Sequence, residues 1–392
     1  MKYSHIVVCY NSHIPLLVLS AWEGWLPWQL DVKAALINGI LKEEIYMDLP
    51  DGSQLFGRVG KLMSCIYRLK ESARQWYNQM IEYLESCGFA ITAWDRCVVV
   101  YESGDLVLAI YVYDIPLCGT TEELTQQTVK VLKREFKVND MGEHNWFQEI
   151  QITFTDDGIT ASQTTFIVHI LNHLLIPDCK PVLTPIDPNH QSKANCHKHN
   201  NTNKMGSQQI IGSLMYLVTG TSPHLAYTIT HLTQFNSSHT MEHLTMANQV
   251  LRYLQETKTK SLFHPWKNQL KSTAYIDASY GNCLDTRQRS SGCIFHLGNA
   301  TIFWICWKHR SVATSSYTTE YAAIAMTTQH HLWLKRGAQE LVKMHISIAL
   351  FFDRNAVMDV ASNPKLINWS TQIDVAYRFP SRLIEHGHVS GM

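Results

Sequence analysis

Between Ser72 and Ser86 apolar side chains recur at Ala73, Trp76, Tyr77, Met80, Ile81 and Leu84, the three-and-four spacing of a single stripe on an α-helix. The stripe predicts a helix with one buried face, and these side chains are expected to be core that positions a site without touching substrate. Two β-prone runs follow, Val98 to Tyr101 and Leu106 to Val112, separated by the turn-forming Glu102-Ser103-Gly104-Asp105. A further turn is expected at Tyr113-Asp114. Helical spacing returns from Glu122 to Phe136, where Leu124, Val131, Leu132 and Phe136 are the apolar positions. Helix, two strands and helix is an order that fits an α+β sheet domain.

Between Gln191 and Gln208 the chain is rich in Asn, His, Lys and Ser with almost no apolar residue, too little to bury on folding, so the sequence predicts a linker there. A helical block is expected from Ile210 to Leu254, then strands at Ser272 to Ile276, Cys293 to His296 and Ile302 to Trp307. Thr318 to Val342 reads as one long helix, Ile346 to Phe352 as an apolar strand running into Asp353, and Ile373 to Phe379 as a short amphipathic segment. No internal repeat is present.

At 392 residues the chain is too long for one hydrophobic core, so more than one domain is expected. Lys+Arg and Asp+Glu balance at 33 each, so any binding of a polyanion must rest on local patches. Charged residues make up 17%, against a usual value of about 25%, and the surface is correspondingly uncharged. The ten cysteines are scattered without a Cys-x-x-Cys pair, which reads as free thiols in a reducing compartment. The apolar run from Ile14 to Leu19 is far shorter than the roughly 18 residues of a membrane span, and no secretory leader is visible. An intracellular location, cytoplasm or nucleus, is therefore expected.

The candidate chemistry lies in carboxylates after apolar runs. Gln29-Leu30-Asp31-Val32-Lys33-Ala34-Ala35-Leu36-Ile37-Asn38-Gly39 resembles the copia-type reverse transcriptase motif in which a strand-end Asp is the first metal ligand, and Asp31 holds that position. The resemblance continues through Ile45-Tyr46-Met47, Tyr67-Arg68-Leu69-Lys70 with Arg74-Gln75-Trp76-Tyr77, Cys179-Lys180-Pro181-Val182, Gly212 to Leu217 and Val250 to Leu254, covering nearly the whole chain. The family's Tyr-Val-Asp-Asp hairpin reads Tyr111-Val112-Tyr113-Asp114 here, so Asp114 matches the second carboxylate while Tyr113 replaces the first and, by family analogy, more critical one. A phenol with a pKa of about 10 stays neutral and cannot bridge two divalent ions. Arg68 and Ala73 stand where the family has Gly and Pro, and Phe147-Gln148-Glu149-Ile150 stands for its Phe-Leu-Gly-Ile. A Gly-to-Arg change is costly wherever the backbone needs a positive φ. The family's basic fingers region would precede Met1, and the resemblance implies a domain that starts inside the fold.

In the second half, Tyr275-Ile276-Asp277-Ala278-Ser279 resembles the first strand of ribonuclease H, with Asp277 as its metal ligand. Glu320 in Ser316-Tyr317-Thr318-Thr319-Glu320-Tyr321 matches the central-helix Glu, although a neighbouring family Glu is Thr318 here. Asp353 and Asp374 match the remaining two carboxylates. Both families of site hold paired Mg²⁺ ions about 3.5–4 Å apart, because in-line phosphoryl displacement needs charge neutralised on the entering and leaving oxygens, and Mg²⁺ demands hard oxygen ligands.

The resemblance therefore implies an α+β and α/β multidomain chain: a reverse transcriptase palm/thumb-like domain followed by a ribonuclease H-like mixed-sheet domain. Its expected divisions are 1–190 (reverse transcriptase, fingers truncated), 191–208 (linker), 209–265 (helical thumb or connection) and 266–392 (ribonuclease H-like). The implied cofactor is Mg²⁺, with Mn²⁺ as its substitute. The implied partners are RNA template and DNA primer, RNA–DNA hybrid and deoxynucleotides, and no membrane. Polymerisation is expected to be lost while hybrid cleavage stays possible, with a catalytically dead relic or co-opted nucleic-acid-binding module as the alternative. A lone Asp after an apolar run is usually a cap or turn residue, and only the family-matched set argues otherwise. Cys196, His197 and His199 fit no standard zinc spacing. Lys70 and Arg74 are as readily solvated charges as phosphate contacts, and the twenty histidines have no physical account at this stage.

Overall fold

The computed structural model describes residues 8, 10–49, 52, 57–174, 179–187, 204–236, 240–266, 271–279, 290–309, 316–344, 346, 348–351 and 390–391. Two compact units are present, one formed by residues 1–145 with 336–344, the other by 146–335 with 345–392.

The first unit runs α1 (Tyr10–Glu23), β1 (Leu26–Val32), α2 (Ala35–Asn38), β2 (Tyr46–Asp48), β3 (Val59–Lys61), α3 (Ser72–Ser86), β4 (Phe89–Ile91), β5 (Val98–Tyr101), β6 (Leu106–Ala109), β7 (Asp114–Gly119), α4 (Glu122–Glu135) and β8 (Val138–Glu143). β2 and β3 pair as a separate ribbon, while the rest form a six-stranded sheet in the order β4-β5-β6-β7-β1-β8. The expected stripe on α3 is buried as Trp76, Tyr77, Met80, Ile81 and Leu84, each large apolar side chain contributing roughly 1.5–3 kcal/mol. Phe136, just past α4, takes the edges of Trp76 and Tyr83 at ring-centroid distances of 5.1 and 5.4 Å, which ties the two helices together. α4 starts where it does because the Thr121 hydroxyl accepts from Leu124 N at 3.3 Å. Gly39 is needed for close approach: a Cβ there would meet the Trp76 backbone nitrogen at 3.0 Å.

Two expectations are corrected in this unit. The strand predicted over Leu106 to Val112 ends at Ala109, and the turn falls on Val112-Tyr113 rather than Tyr113-Asp114, since Tyr111 and Asp114 exchange backbone hydrogen bonds of 2.8 and 2.9 Å. Asp114 instead opens β7, a strand the helix-strand-strand-helix order had omitted because Pro116 and Gly119 mask its pattern.

The second unit contains β9 (Trp146–Phe147), β10 (Ile150–Thr155), β11 (Gly158–Ser162), α5 (Thr164–Leu174), α6 (Lys204–Gly220), a 3₁₀ turn at Pro223–Leu225, α7 (Ala226–Thr233), α8 (Met241–Thr257), β12 (Leu262–Pro265), β13 (Ser272–Ser279), β14 (Ser290–Leu297), β15 (Ala300–Lys308), α9 (Ser316–Val342), β16 (Ile348–Phe351) and β17 (Ser390–Gly391). Residues of α9 from Arg336 onward are counted with the first unit. β12, β11, β10 and β9 form a four-stranded sheet. Ile167, Ile170 and Leu171 of α5 are buried in one cluster with Ile211, Leu214 and Leu217 of α6, Ile229 and Leu232 of α7, and Val250, Leu251 and Leu254 of α8.

That packing differs from the sequence-based divisions at 190 and 209. Residues 166–174 share one core with the helical block, because the apolar face of α5 is covered by α6 to α8, and β11 pairs with β12 beyond that block. α6 begins at Lys204, so residues 204–208 of the expected linker are helical, while 188–203 lie outside the described residues. The last sheet has the order β15-β14-β13-β16-β17, with β13 antiparallel to β14 and parallel to β16. The segment expected around Ile373 to Phe379 lies outside the described residues.

Candidate active site

Gln29 and Asp31 share one face of β1, while Leu30 and Val32, at 0% and 1% exposure, point into the core. In the antiparallel pairing with β7, Asp31 lies directly opposite Asp114, a placement that sets Cβ atoms about 4.5–5.5 Å apart on the same face. The fold thus brings together two carboxylates more than eighty residues apart in sequence. On the other side of β1, Asn139 of β8 pairs with Asp31 and its Nδ2 donates to Asp31 Oδ2 at 3.2 Å. The Asp114 carboxyl is held above the ordinary carboxylate range, first by burial and second by the charge of Asp31, with a hydrogen bond from the Gln29 side chain partly offsetting both.

The turn that delivers Asp114 is clamped from two sides. Trp76 Nε1 donates to Val112 O at 2.6 Å, and Val32 N donates to Tyr113 O at 2.8 Å. Val112 has φ of 52°, which for a β-branched residue is a strained conformation that persists only where surrounding contacts over-determine it. Tyr113, at the tip, is 49% exposed. The apolar stripe of α3 therefore does more than fill the core, since one of its members holds the turn. Sequence reasoning missed Gln29 and Asn139. Gln29 was legible as the residue two before Asp31 on a strand; Asn139 carries no local signal, because only the β1–β8 pairing brings it in.

In the second unit, Asp277 lies on β13 opposite Gly292 of β14 and is exposed, on the same face as Tyr275. The alternate residues Ala274 and Ile276 are buried. A cavity of about 570 Å³ opens beside Asp277 and is walled by Tyr227, Tyr275, Ser291, Trp304 and Phe351. Glu320 lies on α9, with its side chain outside the described residues, as are Asp353 and Asp374 entirely. Among the described residues, no group of three or more His, Cys, Asp or Glu side chains is placed to hold a metal ion, and no helix is long and apolar enough to cross a membrane.

Residues 2–188 match the family described as reverse transcriptase (RNA-dependent DNA polymerase). Over 372 residues the chain is 30% identical to the retrovirus-related Pol polyprotein from transposon RE1 of Arabidopsis thaliana, covering 93% of this chain and 25% of that protein. It is 29% identical over 392 residues to the retrovirus-related Pol polyprotein from transposon TNT 1-94 of Nicotiana tabacum, covering 97% and 29% of the two chains. The chain belongs to the reverse transcriptase family of copia-type transposon Pol polyproteins. It spans between a quarter and a third of the length of these relatives. A third relative, the uncharacterized mitochondrial protein AtMg00810 of Arabidopsis thaliana, is 31% identical over 228 residues, 58% of this chain and 94% of that one.

Reverse transcriptases depend on divalent metal and act on RNA and DNA. In this chain a hard cation beside Asp31 and Asp114 would relieve the Asp31 repulsion that, after burial, raises the Asp114 carboxyl. The exposed side chain of Tyr113 offers a phenol where the family has a carboxylate. The family's glycine positions also differ: Arg68 has φ of 69° and Glu149 φ of 57°, so both hold the left-handed backbone that glycine adopts without strain.

Proposed function

We propose that this chain is a reverse transcriptase and ribonuclease H segment in which polymerisation is lost and metal-dependent cleavage of RNA in RNA–DNA hybrids is retained. The observation that carries it is the last sheet: three antiparallel strands, β15, β14 and β13, extended by parallel β16 and β17, with Asp277 on the central strand and Glu320 on the helix that follows β15. That strand order supports a ribonuclease H-like domain. Asp277, Glu320, Asp353 and Asp374 are its proposed metal ligands. Mg²⁺ held there would supply charge neutralisation on the attacking and departing oxygens of the scissile phosphate. The protein's own part is to keep Asp277 exposed on a rigid strand, and hybrid preference would come from contacts to the 2′-hydroxyls in the wide minor groove. Loss of polymerisation rests on Tyr113, which leaves Asp31 and Asp114 without the third carboxylate.

The test is one preparation in two assays with Mg²⁺. On an RNA template with a DNA primer, no extension is expected; processive synthesis overturns the first half of the proposal. On a labelled RNA–DNA hybrid, cleavage is expected that disappears with chelator and with Asp277→Asn, which keeps shape and removes charge. Cleavage unaffected by that substitution overturns the site. A non-catalytic relic that still binds nucleic acid is the second reading, favoured by non-glycine residues at Arg68 and Glu149, and a chain that binds hybrid without ever cutting it establishes that reading instead.

A further inference from the structure

Two of the twenty histidines lie on α5, a helix that carries none of the carboxylates described above. Its buried face is Ile167, Ile170 and Leu171. The opposite face presents His169 and His173, both exposed and one helical turn apart. Their imidazole rings lie 4.2 Å apart at an interplanar angle of 33°. His173 Nδ1 is 2.8 Å from the carbonyl oxygen of His169. A carbonyl only accepts, so Nδ1 carries the proton in that bond, and in the neutral ring the lone pair is left on Nε2. A backbone carbonyl that fixes the tautomer in this way is the usual support of a metal-ligating imidazole.

We propose that His169 and His173 form a two-histidine site for a borderline divalent transition ion such as Cu²⁺, Ni²⁺ or Zn²⁺, separate from any Mg²⁺ chemistry. Two nitrogens each about 2.1 Å from one ion can be at most about 4.2 Å apart, and the ring centroids already stand at 4.2 Å. Rotation of the exposed His169 side chain closes the remaining difference while His173 keeps its bond to the His169 carbonyl. Imidazole selects this class of ion, whereas Mg²⁺ takes hard oxygen ligands. Cu²⁺ binds most tightly among the three by the general order of divalent affinities. Water completes the coordination, and the ion links successive turns of α5, so binding stabilises the folded chain.

The test is titration of the full chain with CuCl₂ at pH 7.5, followed by calorimetry and by thermal unfolding, for the wild type, His169→Gln, His173→Gln and the double variant. Gln suits an exposed helix position, so the variants are expected to fold. Because the second ligand binds at high effective concentration once the first is bound, each single substitution should weaken this site about tenfold or more and remove as much of the thermal shift as the double variant does. Copper binding elsewhere on the chain persists in the double variant and is subtracted. Single substitutions that each remove half the double variant's effect mean independent histidines and overturn the site. So does a double variant that binds copper as the wild type does.

Discussion

Replacing Glu149 with glycine should stabilise this protein, although it deletes a side chain and loosens the unfolded chain. Gln148 and Glu149 are the two central residues of the β9–β10 hairpin, whose strands pair Phe147 with Ile150 and Trp146 with Gln151. Both have positive φ, 49° and 57°, as a tight two-residue hairpin of the mirror-image type requires. The turn cannot relax out of this conformation, because the Tyr216 hydroxyl donates to Gln148 O at 2.5 Å and Phe147 and Ile150 are each 1% exposed. An L-residue held in the left-handed region costs roughly 1–2 kcal/mol. Glycine removes that cost and returns about 0.4–1 kcal/mol through its greater freedom when unfolded. The net gain for Glu149→Gly is therefore about 0.5–1 kcal/mol, or an upward shift of about 1–4 °C in a unit of this size. Scanning calorimetry of the full chain measures it. Gln209→Gly, on an exposed position of α6, is the control and should lose up to about 1 kcal/mol. If both substitutions destabilise alike, the strain assigned to the turn does not exist.

Two further outcomes follow from the first unit. Trp76→Phe removes the hydrogen bond to Val112 O and leaves part of a fully buried ring volume unfilled, costing about 2 kcal/mol; it should also broaden the Val112 methyl resonances, whereas Tyr77→Phe, which loses only the bond to Arg96 O, should leave them sharp. Burial pushes His144 down to about 3 and His13 well below the usual histidine range, the latter also through His144. The folded values lie below the unfolded ones, so the stability contributed by the neutral imidazoles is present above about pH 6.5 and is lost as pH falls, in the case of His144 toward about 3 at about 1.4 kcal/mol per pH unit. The urea midpoint of the wild type should fall more steeply between pH 6.5 and 5 than that of His144→Leu, and parallel slopes would refute the assignment.

What the sequence determined by itself was local. The stripe from Ala73 to Leu84 marked α3 over Ser72–Ser86, and the runs at Val98 and Ser272 marked β5 and β13, because apolar spacing is set by how a helix or strand presents its side chains. The motifs likewise marked Asp31 and Asp114 before any pairing was known. Tertiary structure alone decided that these two stand opposite each other, that Asn139 reaches Asp31 from β8, and that Trp76 grips Val112. It also decided that helix α5 shares a core with α6 to α8 across a polar stretch that looked like a boundary. Strand register and core membership depend on which surfaces meet, and residues 36 to 108 positions apart leave no periodic trace of one another in the chain.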